Sequence, residues 1–285
     1  MMKSGWIAVG LCFSLLASGA AWAEAAGKQV AWAEDWVPPN IGWESQLAGY
    51  RAYWGQFDFF GKTKETLILP DLDDSPKYHA EQPWGIDALH VGETCGLGGV
   101  VLYVAGKAYP VWSPNGKGDI EWSKRLLVET DDKVAVQLEA ANLGPPEQPC
   151  RVRFECAIHA GERHSDISVT VLGGKPDAAL QVGVGLVRLP DEEFFADKAR
   201  GVMANTGEQE DAIGPVRMAV VFDPAELVRL RKEETRHEAV LSAEQEEPVQ
   251  YAIQGDWLRG DVAHAGKALD VWATAVAEAV QGGTG

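Results

Sequence analysis

Between Gly49 and Leu258 the chain consists of strand-length segments about ten residues apart, divided by turn residues. That rhythm calls for antiparallel sheets and gives no βαβ alternation. Val100 to Val104 and Ala108 to Trp112 flank Gly106-Lys107 as one hairpin. Ile120 to Glu129 and Lys133 to Ala140 flank Thr130-Asp131-Asp132 as a second, and Cys150 to His159 and Asp166 to Leu172 flank Ala160-Gly161-Glu162-Arg163 as a third. Leu180 to Leu189, Pro215 to Phe222 and Val249 to Leu258 read as further strands, the second of them apolar enough to be central. Thr66 to Leu69 reads as a short strand.

Gly49 to Phe60 alternates with a period of two. This predicts one strand with Arg51, Tyr53, Phe57 and Phe59 on one face and Tyr50, Trp54, Gln56 and Asp58 on the other. Only two segments read as helical. Pro224 to Arg231 is a short charged turn or helix, and Ala268 to Val280 sets Val271, Trp272, Ala275, Val276 and Ala279 at helical spacing before Gly282-Gly283 stops it. Glu233 to Glu247 reads as an acidic, solvated excursion. The expected fold class is therefore all-β in the main: two large antiparallel sheets packed as a sandwich, with one C-terminal helix.

The first residues carry one lysine, an apolar run from Trp6 to Ala17 and Ala21-Trp22-Ala23, the form of a secretory signal and its cleavage site. Residues 1–23 are expected to be removed, leaving 24–285 as one exported domain, periplasmic or secreted. No cysteine follows the apolar run to take a lipid anchor, and no later stretch suits a membrane span. The net charge of −17 opposes nucleic acid as a partner, since its recognition rests on a basic footprint. An anionic ligand would need arginines gathered locally against that field.

Cys95, Cys150 and Cys156 follow the leader. If Arg151 to Glu155 is extended, Cys150 and Cys156 stand about 20 Å apart at the strand rise, well past the ~7 Å limit for a bridge. Cys95 with one of them is the remaining pairing, which leaves an odd thiol. There is no GxSxG, HExxH, Walker loop or strand-to-helix GxGxxG, so serine-hydrolase and nucleotide chemistry are poor readings.

The stretch Tyr78 to Gly99, YHAEQPWGIDALHVGETCGLGG, has neither a helical nor a strand period. Its glycines allow positive φ or close approach, and its polar aromatics beside Asp87 suit a small polar ligand, so it reads as the floor or rim of a site. Together with Trp43 to Lys62 and the AGERHS turn at Ala160 to Ser165, it resembles a domain-of-unknown-function family of exported bacterial proteins from polysaccharide-degradation loci. The most specific part is WGxDxLxVGxxxGLGG, here Trp84 to Gly99. The resemblance implies a galactose-mutarotase-like supersandwich and a role in breaking down glycans.

On that basis the expected partner is an oligosaccharide or polysaccharide, and the expected chemistry is β-elimination from a uronate. Arg51 would neutralise the carboxylate, Tyr53, Tyr78 or His79 would serve as base or acid, and Asp87 would orient them. Trp54, Trp84 and Trp112 would stack on sugar rings, with Arg163 also at the substrate. An aldose-epimerase-like or hydrolytic enzyme using His159 or His79 with a carboxylate is the alternative, and a non-catalytic glycan-binding module is the third reading. No motif demands a cofactor. His159 and His164 with Asp166 offer metal ligands at no established spacing, and Asp71, Asp73 and Asp74 offer oxygens suited to Ca²⁺ without the EF-hand pattern.

Overall fold

The computed structural model describes residues 27–35, 40–72, 80–174, 179–209, 212–260 and 266–283. Strands are numbered β1 to β18 along the chain. A five-stranded N-terminal sheet runs in the order β1 (Val30–Glu34), β2 (Ile41–Ser45), β3 (Gly49–Tyr53), β4 (Gln56–Lys62), β5 (Gly85–Asp87). An eight-stranded sheet runs β13 (Glu193–Asp197), β14 (Val202–Glu208), β15 (Pro215–Phe222), β18 (Pro248–Trp257), β11 (Ser165–Gly173), β10 (Cys150–His159), β9 (Lys133–Leu143), β8 (Glu121–Glu129). A second five-stranded sheet runs β16 (Leu227–Lys232), β17 (Arg236–Ala243), β12 (Leu180–Val187), β6 (Leu97–Val104), β7 (Lys107–Pro110). All strand pairs within these sheets are antiparallel.

The expected all-β, antiparallel architecture with a C-terminal helix is what the chain adopts, with one difference. One layer is the eight-stranded sheet; the facing layer is divided into the two five-stranded sheets, which contact each other through β4 and β6. Their junction is a single parallel bridge between Phe57 and Gly96, where Phe57 N–H donates to the Cys95 carbonyl at 3.2 Å. One apolar core lies between the layers, with Trp43, Phe57, Phe59, Phe154 and Trp257 at 0–1 % exposure. Apolar burial on that scale is the main favourable contribution to folding.

Helix α1 (Leu269–Gly282) covers the outside of β14 and β15. It buries Leu269, Trp272, Ala273, Val276 and Ala277 against Val202, Ala204, Ala219 and Val221. The buried stripe is rotated from the expected one, and Val271 is 53 % exposed. Trp272 fixes the rotation, because its Nε1 donates to buried Asp256 Oδ2 at 2.8 Å. No helix among the described residues is long and apolar enough to cross a membrane.

Four further local expectations are corrected. Gly49 to Phe60 is a hairpin, because Trp54 and Gly55 both take positive φ (47° and 77°), the two-residue turn that suits twisted strands. The turn resets the parity, so Arg51 sits across from Asp58 and Tyr50 from Phe59. Thr66 to Leu69 is no strand; the Ile68 and Leu69 N–H groups are taken by the Glu44 carboxylate at 2.7 Å each, and a short 3₁₀ turn follows. The charged runs at 224–247 hold strands β16 and β17, whose core-facing residues Ala239 and Leu241 are buried while Arg231 ion-pairs with Glu233 and Arg236 with Glu238 on the other face. Cys95, Cys150 and Cys156 are all free and buried, so the proposed Cys95 bridge is absent; burial pushes the Cys95 thiol up to about 12.

Candidate functional site

The face of the N-terminal sheet turned away from the core carries an unusual load of charge. Arg51 on β3, Asp58 on β4 and Asp87 on β5 meet there, at 3 %, 1 % and 0 % exposure. Arg51 Nη2 is ion-paired with Asp58 Oδ2, and with Asp87 Oδ2 at 2.8 Å. The guanidinium lies over two rings, Tyr53 at 5.1 Å and Phe60 at 5.5 Å from their centroids, contacts that favour a cation. Phe59 N–H donates to Asp58 Oδ1 at 2.6 Å.

A strap of chain between β4 and β5, described at residues 63–72 and 80–84, lies against this face. Its start is clamped by a second buried ion pair: Lys62 Nζ donates to Glu44 Oε2 at 2.6 Å and to the Ser45 and Thr66 carbonyls at 2.7 Å. Burial raises the pKa of the Glu44 carboxyl, and burial lowers that of Lys62. Ile68, Leu69, Leu72 and Trp84 of the strap pack on Phe60, with the Trp84 ring edge-on at 5.9 Å.

Burial and the neighbouring Asp87 hold the Asp58 carboxyl well above the usual range, against the pull of Arg51. The folded state then keeps a proton that the unfolded chain releases near pH 4, so stability falls as pH rises above about 4 toward the folded value. We expect the Tm of the protein relative to an Asp58→Asn variant to drop as the pH is raised above about 4. A difference that is flat or grows with pH would show Asp58 ionised in the folded state.

Arg51 and Tyr53 share one strand face and Asp87 joins them from β5, but Arg51 does not present a bare charge to an incoming uronate. Its Nη2 already carries two carboxylates, which corrects the neutraliser role. Asp58 escaped the sequence reading because the missed Trp54-Gly55 turn put it on the wrong face; an acid directly opposite Arg51 across a two-residue Trp-Gly turn was the signal available. Tyr78 and His79 lie outside the described residues.

The three tryptophans do not form a common platform. Trp84 roofs the Arg51 cluster through Phe60, whereas Trp54 sits on the hairpin turn against Tyr53, ring centroids 6.0 Å apart. Trp112 packs on Val101, Tyr103 and Val240 outside the second five-stranded sheet, under the Arg236 guanidinium at 5.5 Å. His159 ends β10 opposite Lys133, at the far side of the β10–β11 turn from His164. Arg163 donates to the Leu47 carbonyl at 3.4 Å.

The glycines of the motif are mostly structural. Gly96 has φ +69°, and a Cβ there would stand 1.8 Å from the Phe57 carbonyl oxygen. Gly98, at φ +98°, has the Ile253 side chain 2.7 Å from its would-be Cβ, and Leu97 to Val104 is buried throughout as β6. Their density serves the junction between sheets, which corrects the reading of Gly96, Gly98 and Gly99 as the rim of a site.

The fold and cluster together define a two-layered antiparallel β protein with a strap-covered, internally paired Asp-Arg-Asp group. The chain belongs to the family described as Domain of unknown function (DUF4861), whose model matches residues 38–280. Comparison with curated proteins gives no match. Among solved structures the chain is similar to the 4-alpha-glucanotransferase from Thermococcus litoralis at 12 % identity and a TM-score of 0.35, over 77 % of this chain and 37 % of that one. The chain thus spans little more than a third of that enzyme.

Proposed function

We propose that the protein is an exported carbohydrate-active enzyme that works at the strap-covered face of the N-terminal sheet, with Asp87 as its general base. The observation that carries this reading is the shared nitrogen: Arg51 Nη2 holds Asp87 at 2.8 Å while also gripping Asp58. Asp58 fixes the guanidinium from β4, and the guanidinium holds Asp87 on the edge strand β5, next to the strap. A buried carboxylate held by a fixed guanidinium is able to take a proton from a sugar carbon, a hydroxyl or a water. Tyr53 and Trp84 supply rings beside it. Glycans as the substrate class rest on the Trp84–Gly99 motif resemblance.

Because Arg51 is already occupied, epimerase-like or hydrolytic acid–base chemistry fits this group better than uronate β-elimination, in which the neutralising cation must be available to the substrate. The test is activity on a panel of oligosaccharides, followed in parallel by absorbance of unsaturated ends, by new reducing ends and by epimer equilibration. Asp87→Asn keeps the shape and is expected to lower the responding activity by about 10²- to 10⁴-fold with the fold intact by circular dichroism. Full activity in that variant would overturn the assignment of the base, and unsaturated product would restore the lyase reading.

A second reading, glycan binding without turnover, has its own support on the outer face of β6, β12, β16 and β17. There Arg229 and Arg231 lie 5.5 and 5.6 Å from the Tyr103 ring centroid, beside Trp112 with Arg236. Affinity for an acidic oligosaccharide with no product in any assay would favour it.

A further inference from the structure

We infer that the turn between β10 and β11 is a divalent-metal site of the zinc and manganese class, with Glu162, His164 and Asp166 as its protein ligands. Their ligand atoms all lie within 4.8 Å of one another. His164 Nε2 stands 3.3 Å from Glu162 Oε2 and 3.8 Å from Asp166 Oδ1. Hydrogen bonds of this kind centre on about 2.9 Å, whereas neighbouring ligands around an ion held at about 2.0–2.2 Å from each stand roughly 3–3.6 Å apart in octahedral or tetrahedral geometry. The observed separations suit an ion at the centre with a small inward adjustment of Asp166.

Burial is graded across the three. The His164 side chain is 8 % exposed, Glu162 31 % and Asp166 51 %, so the imidazole forms the floor and the carboxylates the open sides. The imidazole nitrogen directs the choice of ion, because Ca²⁺ takes oxygen ligands and imidazole suits zinc and its neighbours in the first transition row.

The turn is held in place by the N-terminal sheet, which is what a preorganised ligand set needs. Ser45 Oγ donates to the Glu162 carbonyl at 2.6 Å, and the Tyr50 hydroxyl donates to the Arg163 carbonyl. Gly161 N–H donates to Gln46 Oε1 at 3.1 Å, and Trp43 Nε1 donates to Ser165 Oγ at 2.8 Å. Each ligand residue is thereby fixed or flanked by a fixed neighbour.

The open side of the site does not face bulk water alone. Asp166 also lines a groove of about 680 Å³ on the outer face of the eight-stranded sheet, together with Lys133, Glu155, Ser168 and Gln250. Three protein ligands leave coordination positions free, as in catalytic rather than structural sites. Water or an oxygen-donor ligand would fill them.

The site is separate from the Asp87 assignment, and its test does not depend on any enzymatic activity. Tag-free full-length protein, stripped with chelator, is titrated with Zn²⁺ alone and with Mn²⁺ alone by calorimetry, and the bound metal is counted by elemental analysis. We expect one equivalent bound with a rise in Tm, and at least a tenfold loss of affinity in Glu162→Gln and in Asp166→Asn, with unchanged circular dichroism. Because Asp166 is half exposed, its variant keeps the test independent of folding. Less than half an equivalent bound, or equal affinity in the two variants and the parent, would overturn the site; tighter binding of Ca²⁺ than of Zn²⁺ would overturn its chemistry.

Discussion

Replacing Arg51 with methionine is expected to lower stability by about 3–5 kcal/mol at neutral pH, because removing one member of a buried ion pair strands its partners without water or countercharge. Here two carboxylates are stranded, Asp58 and Asp87, at 1 % and 0 % exposure. The loss should shrink as the pH is lowered toward about 4, because in the variant the buried acids take up protons as the pH falls and the missing cation then matters less. Adding Asp58→Leu and Asp87→Leu to the same background should regain much of the loss, since well-packed apolar residues often match or exceed a buried ionic group. Denaturant unfolding at several pH values measures all of this. A loss under about 1 kcal/mol at neutral pH would mean that the carboxylates reach solvent.

The second large effect is expected at Gly96. Gly96→Ala places a methyl group 1.8 Å from the Phe57 carbonyl oxygen, a backbone atom that cannot turn aside, at a φ of +69° that alanine tolerates poorly. The chain would have to separate β4 from β6, and with them the bridge that joins the two five-stranded sheets. We expect a loss of at least about 3 kcal/mol, in the range reserved for strain at special backbone positions. Gly92→Ala is the control: it also has positive φ (+53°), but nothing lies within 4 Å of its would-be Cβ, so it should cost only about 1 kcal/mol. If both variants unfold at the same denaturant concentration, the junction is not what Gly96 protects.

These two positions show where reading the sequence stops. The hairpin of Cys150 to His159 and Asp166 to Leu172 was legible because each strand has one face on the core and one on water, so its period survives in the residue types. The helix at Ala268 to Val280 was legible for the same reason, though its orientation was not; a hydrogen bond from Trp272 to Asp256 turned the face, and no periodicity encodes that. Glu238 reads as a solvent charge until the sheet brings the Tyr103 hydroxyl to it at 2.5 Å, beside the Arg236 of its own strand.

The same division holds at the candidate site. That Arg51, Tyr53 and Asp87 belong together was legible from residue chemistry, because a buried acid needs a partner and an arginine was near in sequence. That Asp58 completes the group was not, since a single two-residue turn exchanges the faces of everything after it.

What the sequence by itself determined is the fold class: strand-length segments, turn residues at their ends and one amphipathic tail dictate antiparallel layers and a closing helix through local sterics and the burial of alternate side chains. What only the tertiary structure decided is which charges meet. Arg51 binds acids 7 and 36 positions away, and Glu162, His164 and Asp166 converge because Trp43, Ser45 and Tyr50 hold their turn from another sheet. Local composition sets how each segment lies, but electrostatic partners in a sandwich are chosen by register and by layer contact, which depend on the whole chain at once.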